Sequence, residues 1–404
     1  MPTQKTAVPA SPRIIFITTP NSDPWAGSEE LWGRTALDLV AQGFPVSASV
    51  TAFSPLHPRM IELRNRGVEL WLRPAWYAWH EHPWRRLRSR RGGPILHEAE
   101  RLIAARPPAL VVLSDGAGGL PPIELLELCV ARRLAFATIV QLGRDTEWYA
   151  DGLAERYRRA LAAAQRCYFV SHANYRLAET QIAGDLPNGE VVWNPFNVPR
   201  DASPAWPPLG ADRELRLACV GRLYPRQKGQ DLLFEALASP VWRERPWRLS
   251  VYGEGPQRQT LERLAEKLGI SDRVVFAGFA RVEQIWAANH ALVMPSRYEG
   301  LPLAMVEAMV CGRPVVATDV AGHAEIIEDG MTGFLADAPT AGSIAIALER
   351  FWERRDDAEA IGKAGARRIR ELVPPDPVRI FSDKLRALVE KYPCDGAALQ
   401  RRLA

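Results

Sequence analysis

The sequence predicts an α/β protein built from two doubly wound, Rossmann-like domains facing each other across a cleft, and three observations carry that expectation. Short apolar runs alternate with helical patterns along the chain, as in parallel strands joined by crossover helices. At 404 residues the chain is long for a single core. Near its middle, Asn194-Pro195-Phe196-Asn197-Val198-Pro199 and then Ser203-Pro204-Ala205-Trp206-Pro207-Pro208 interrupt the alternation with prolines that suit neither helix nor central strand. The domains expected are 1–198, a linker at 199–213, 214–373, and a closing segment at 374–404.

The elements follow in order. Residues 13–18 form an apolar run that reads as a buried parallel strand. Ala26-Gly27-Ser28-Glu29 opens a helix with Leu31, Thr35 and Leu39 on one face. Strand 46–50, helix 59–66 and strand 68–72 come next, then strands at 110–113, 135–140 and 166–170 with helices between them. Ligands of such sheets sit beyond the carboxyl ends of the strands, which brings forward the loops 20–28, 114–119 and 141–147. In the second half, strand 215–220 runs into Gly221-Arg222-Leu223, and Lys228-Gly229 starts a helix over 231–238. Strand 248–252 ends in Gly253-Glu254-Gly255-Pro256, a turn too short for a full dinucleotide fingerprint. Strands 274–279, 291–295 and 314–318 follow. Residues 341–371 read as helical, and Pro374-Pro375 separates them from a last helix at 378–392.

Composition narrows the class. Apolar content of 47% and charged content of 24% are those of a soluble globular protein. A formal charge of +4 is too small over this length to call for nucleic acid. The five cysteines show no paired metal spacing and suit a reducing compartment. The first apolar run is too short for a signal peptide, and no run approaches the roughly 20 residues needed to span a bilayer. The expected location is cytoplasmic, or peripheral to the inner face of the membrane. Residues 71–91 hold four tryptophans and then five arginines. That composition suits peripheral contact with an anionic membrane or a lipid-linked acceptor. The plainer alternative is an insertion whose rings pack on the domain while its arginines stay solvated. His80 and His82 lack a third ligand and make no metal site.

The chemistry concentrates in Ser296-Arg297-Tyr298-Glu299-Gly300-Leu301-Pro302-Leu303-Ala304-Met305-Val306-Glu307-Ala308-Met309-Val310-Cys311-Gly312. A helix should start near Pro302, where a missing N–H costs nothing, and stop at Gly312. It is apolar all round and therefore buried, except for Glu307, whose carboxylate needs a hydrogen-bond donor. Free N–H groups of Gly300, Leu301 and Leu303 at the positive end of that helix would seat a phosphate. Arg222 and Lys228, at a strand's end and a helix's beginning, should face the same crevice and stabilise negative charge there.

Glu-Gly-Leu-Pro…Glu-Ala-Met-x-x-Gly-x-Pro-Val-Val, with Glu299 and Glu307 in the E-x7-E positions, resembles the signature of retaining glycosyltransferases of family 4. Gly-Arg-Leu…Lys-Gly at 221–229 is similar to the same family. The resemblance implies the GT-B fold and transfer of a hexose from a UDP- or GDP-sugar to a hydroxyl of a glycan, lipid-linked or small-molecule acceptor. It implies Arg222, Lys228 and Glu299 as catalytic, the cations on the diphosphate and Glu299 on the transferred sugar. It places Glu307 on the ribose, Phe279 (with Arg281) near the base, and Gly253 close to the donor. It also places residues 322–325 beside the sugar and the last helix back on the first domain. Gly27 alone carries over from the family's Gly-Gly turn, which closes on the diphosphate from the other domain. Gln141 stands where the family has a histidine, so Asp115 and Asp145 are the remaining candidates for an acceptor hydroxyl. No Asp-x-Asp pair is present for a divalent ion, so no metal or cofactor is expected and the nucleotide sugar enters as co-substrate. Rival readings are a nucleotide-sugar-binding protein without transfer, and a sugar phosphorylase or epimerase on the same fold.

Overall fold

The structure is a computed structural model; it describes residues 11–19, 24–74, 93–116, 118–209 and 213–392. The first lobe runs β1 (Ile14–Thr18), α1 (Gly27–Ala41), β2 (Val46–Thr51), α2 (Pro58–Asn65) and β3 (Glu69–Arg73). It continues through α3 (Gly93–Ala105), β4 (Leu110–Asp115), α4 (Ile123–Ala131), β5 (Phe136–Val140) and α5 (Asp151–Ala162). It ends with β6 (Arg166–Phe169), α6 (His172–Ile182) and β7 (Gly189–Val191). The second lobe opens with β8 (Leu215–Val220), α7 (Pro225–Lys228), α8 (Gln230–Leu237), α9 (Pro240–Arg243) and β9 (Trp247–Tyr252). Next come α10 (Arg258–Lys267), β10 (Val274–Gly278), α11 (Val282–Ala288), β11 (Ala291–Met294) and α12 (Leu303–Val310). The chain closes with β12 (Val315–Thr318), α13 (His323–Ile326), β13 (Gly333–Ala336), α14 (Ala341–Glu353), α15 (Ala358–Leu372) and α16 (Pro377–Lys391).

Two parallel sheets result, in the orders β3-β2-β1-β4-β5-β6-β7 and β10-β9-β8-β11-β12-β13. Each reverses direction once, between β1 and β4 in the first lobe and between β8 and β11 in the second. Such switch points open a crevice at the strand ends. Inner strands such as β1, which is buried throughout, are apolar because helices cover both faces. The edge strands β7 and β13 went unread in the sequence, having three and four residues respectively, too few to show a period.

The chain crosses between lobes twice. After the first crossing it builds the second lobe, and α16 then lies on the first, placing Phe381, Leu385, Leu388 and Val389 in the core beneath α1 and β2. The Phe381 ring meets Tyr168 edge-on at 5.0 Å. The two crossings are tied together: Arg200 donates to the carbonyls of Arg370 and Val373, and Arg370 Nε returns a bond to the Arg200 carbonyl at 2.8 Å. Arg73, at the end of β3, is buried and donates to the carbonyls of Ser49 and Thr18, so it belongs to the sheet rather than to an exposed basic surface. The rest of the Trp/Arg stretch, from 75 onward, lies outside the described residues. Among the described residues no helix is long and apolar enough to cross a membrane.

Candidate active site

Both groups of charged residues predicted for the second lobe leave its sheet at the switch point. Arg222 follows β8 and Glu299 follows β11, so the topology makes them neighbours across 77 positions of intervening chain. Gly229 makes the turn possible. It takes φ +64, and a Cβ there would lie 1.9 Å from the Pro295 carbonyl oxygen, so only glycine lets this turn reach the β11 loop. The result differs from one helix beginning at Lys228: a four-residue helix, α7, ends at Lys228, and α8 restarts after the left-handed glycine.

That turn delivers Lys228 to Glu299. Nζ lies 2.5 Å from Oε1, and Ser296 Oγ donates to the same oxygen at 2.8 Å. Glu299 is buried and its partner cation is mostly so. The arrangement is braced by Arg297, which grips Asp231 with both terminal nitrogens (2.8 and 2.7 Å) and donates to the Pro225 carbonyl at 2.7 Å. Arg222 stacks its guanidinium over Tyr224 at 4.9 Å and also interacts with Tyr298; burial lowers its pKa from the usual arginine value. Gly253, at φ +120, passes so close to Gly221 that a Cβ would sit 2.2 Å from its carbonyl oxygen. It holds the Arg222 turn in place through backbone contact. Phe279 follows β10 and is 80% exposed.

The motif helix is α12, with Pro302 as its N-cap and Gly312 at φ +70 beyond its end. Met305 through Val310 are buried, whereas Leu303 and Ala304 are half-buried. No described residue accepts a hydrogen bond from the N–H groups of Gly300, Leu301 or Leu303. A Cβ on Gly27, the first residue of α1, would lie 3.2 Å from Leu303 Cδ1. The first turns of α1 and α12 therefore meet across the cleft, and both helices present their positive ends to one gap.

Two residues singled out in the sequence have partners within the protein. Glu307 is buried, but its Oε1 accepts from the backbone N–H and Nδ2 of Asn197 in the first crossing, at 2.9 and 3.0 Å. Burial raises its pKa, opposed by those bonds. It thus ties the donor helix to the crossing. Gln141 exchanges both hydrogen bonds with the Asn194 amide, at 3.1 and 2.7 Å. A buried amide pair so satisfied is a structural fastening rather than a group offered to an acceptor. Asp115 accepts from Thr19 Oγ1 at 2.5 Å and from Gly118 N–H at 3.2 Å, while Asp145 is exposed in the loop after β5.

Sequence reasoning missed the roles of Ser296, Arg297, Asn197 and the buried Glu29, and took His323 only as part of the 322–325 loop. His323 has Nδ1 2.7 Å from the Thr318 carbonyl, which can only accept, so Nδ1 carries the proton and Nε2 is the acceptor. Nε2 has no partner among the described residues, and burial lowers the ring's pKa, keeping it neutral beside Glu299. Glu29, at N3 of α1, accepts from the N–H of the N-cap residue Ala26 at 3.0 Å and from Ser28 Oγ at 2.7 Å. Burial pushes its carboxyl up to about 7 despite those bonds, with Asp115 adding repulsion. Because the folded-state pKa lies above the ordinary value, the fold holds this proton between about pH 4.5 and 7. The contribution of this group to stability is therefore complete below that window and is lost as pH rises through it, about 3 kcal/mol in all. Glu29→Gln keeps the cap but not the titration, and its unfolding midpoint should lose that pH dependence; an unchanged slope would place the titration elsewhere.

Residues 214–354, within the second lobe, match the family described as Glycosyl transferases group 1. Together the two lobes form the GT-B fold. Among curated relatives, the GDP-mannose-dependent alpha-(1-6)-phosphatidylinositol monomannoside mannosyltransferase of Mycolicibacterium smegmatis is 36% identical over 160 residues, 37% of this chain and 41% of that protein. Alpha-D-kanosaminyltransferase of Streptomyces kanamyceticus is 34% identical over 160 residues, 39% of this chain and 41% of that protein. The matched stretch thus spans about two fifths of these relatives. Among solved structures, Anabaena HepE in complex with UDP superposes with a TM-score of 0.69 over 94% of this chain and 100% of that one, at 18% identity. Sucrose-phosphate synthase from Thermosynechococcus elongatus gives a TM-score of 0.71 over 94% and 99%, also at 18% identity.

Proposed function

We propose that the protein is a retaining hexosyltransferase, moving a sugar from a nucleoside diphosphate sugar to a hydroxyl of a glycan, lipid-linked or small-molecule acceptor. The observation that carries this reading is the Lys228–Glu299 pair set beside Arg222 and the two opposed helix starts. It combines fixed positive charge for a diphosphate with a carboxylate that accepts sugar hydroxyls. An ammonium has three donors, so its bond to Glu299 leaves others for a phosphate. Arg222, Lys228 and the N–H groups of Gly300, Leu301 and Leu303 stabilise the leaving diphosphate. The bond from sugar C1 to the phosphate oxygen breaks, and its electron pair departs with the diphosphate. The acceptor oxygen bonds to C1 on the same face, and its proton passes to a leaving-phosphate oxygen. A double displacement would need a nucleophilic carboxylate across the ring.

The donor relatives support a nucleotide sugar: one is named for GDP-mannose, and HepE was crystallised with UDP. Phe279 offers an exposed ring for either base, with Glu307 near the ribose. Metal independence, a cytoplasmic site of action and membrane contact through residues 71–91 remain parts of the proposal. A thermal-shift series with UDP-, GDP- and ADP-sugars should single out one donor, raising stability by about 2.7 kcal/mol at roughly 100 times its Kd. Phe279→Ala should weaken that donor by about 1–3 kcal/mol through lost stacking. Turnover assays then decide the class: saturable binding without product would leave a binding protein, and sugar phosphate formed from inorganic phosphate would indicate a phosphorylase.

A further inference from the structure

The backbone of Glu299 is held from the opposite lobe. Its carbonyl oxygen accepts from the N–H of Gly143 at 3.3 Å, in the loop after β5, and from Nδ2 of Asn174 at 3.5 Å, in the first turn of α6. Asn174 is buried. Its own N–H is bonded to the N-cap hydroxyl, Ser171 Oγ, at 3.1 Å. The two N–H groups before it have no partner among the described residues of their own lobe. They are taken by Glu325 of the second lobe, Oε2 accepting from His172 at 3.0 Å and Oε1 from Ala173 at 2.6 Å. A carboxylate across a helix N-terminus makes two charge-assisted bonds and meets the positive end of the helix.

Glu325 is itself fixed to the donor lobe. Arg368 Nε donates to the Ile326 carbonyl at 2.9 Å, and its Nη2 to that of Glu325 at 3.4 Å. In the same loop Gly322 N–H donates to the Gly300 carbonyl at 3.2 Å. A Cβ on Gly322 would lie 2.7 Å from Ser171 Cβ. Residues 322–325 therefore wedge between the start of α6 and the loop carrying Glu299, bonded to both.

We propose that Glu325 is a positioning residue for sugar transfer: gripping α6 from the opposite lobe, it sets Asn174 against the Glu299 carbonyl and so fixes the Glu299 carboxylate. The inference rests on the proposed role of Glu299. It also places Glu325 on α6, rather than beside the transferred sugar as the family resemblance implies.

The test uses the full chain with Glu325→Ala and Glu325→Gln, the latter keeping one acceptor oxygen. In Glu325→Ala, hydrogen exchange at residues 172–174 should quicken by about tenfold or more. With the preferred donor, kcat should fall by about 10- to 100-fold, and Glu325→Gln should recover part of the loss. The Kd of the UDP or GDP product should stay within about threefold, because the nucleotide is held by the second lobe. Turnover within about twofold of wild type in Glu325→Ala overturns the proposal. So does a nucleotide affinity that falls in step with kcat, which would mean damage to the donor lobe. If the wild-type protein turns over no nucleotide sugar, the transfer reading fails separately. Exchange then still decides the grip, and unchanged protection at 172–174 overturns it.

Discussion

Lys228→Met is expected to slow sugar transfer severely and to weaken the fold at the same time. Its ammonium lies 2.5 Å from a Glu299 carboxylate oxygen that is out of solvent. Removing one member of a buried pair leaves the other charge uncompensated, at about 3–5 kcal/mol. Turnover should drop by about 100- to 1,000-fold, the usual cost of losing a group that stabilises developing charge. The two losses can be separated. Lys228→Met/Glu299→Gln carries neither charge, so urea unfolding should return most of the stability, while transfer stays lost. A single variant with wild-type kcat would remove Lys228 from the chemistry. A double variant no more stable than the single would show that the pair does not govern stability.

Gly300→Ala should act on the cleft rather than on either lobe. A Cβ at this position would lie 2.0 Å from the Gln141 carbonyl oxygen and 2.8 Å from Val170 Cγ2, both in the first lobe. Neither neighbour is a flexible side-chain end, because Gln141 is fastened to Asn194 and Val170 is buried. The lobes must therefore part by about an ångström or more to restore ordinary contact. A displacement of that size at a reacting centre costs about 100-fold in rate. Circular dichroism and UDP or GDP binding should stay close to wild type, whereas small-angle scattering should show a larger radius of gyration. Near-normal turnover would mean that the first lobe need not approach the Glu299 loop.

The sensitivity of both positions has one origin. Glu299 is held by its side chain from the donor lobe and by its backbone from the other, so either a lost charge or a forced gap disturbs the same carboxylate. Arg297 adds to this by locking the Lys228 turn to the Glu299 loop through Asp231. Single substitutions in the brace should thus reach the chemistry without touching a substrate.

Much of this was legible in the sequence. Apolar runs of four to six residues located most of the strands of both sheets, because a strand covered on two faces can use almost nothing but apolar side chains. Pro302 and Gly312 bounded the donor helix through local backbone geometry. Arg222 and Lys228 could be placed on one crevice because residue type and spacing limit what a loop at a strand's end can offer, whereas Gly27 and the role of Glu299 were named through the family resemblance. Pairing was not legible. Sequence does not state that Glu307 bonds to Asn197, that Gln141 closes on Asn194, or that Glu325 crosses to α6. Each partnership joins segments 53 to 153 positions apart and depends on tertiary packing, within the first lobe for Gln141 and across the lobes for Glu325, which no local pattern encodes. The chain alone thus determined which chemical groups are available and on which elements they ride; the tertiary structure decided which meet, because a buried carboxylate or amide takes whatever donor the packing brings within hydrogen-bond reach.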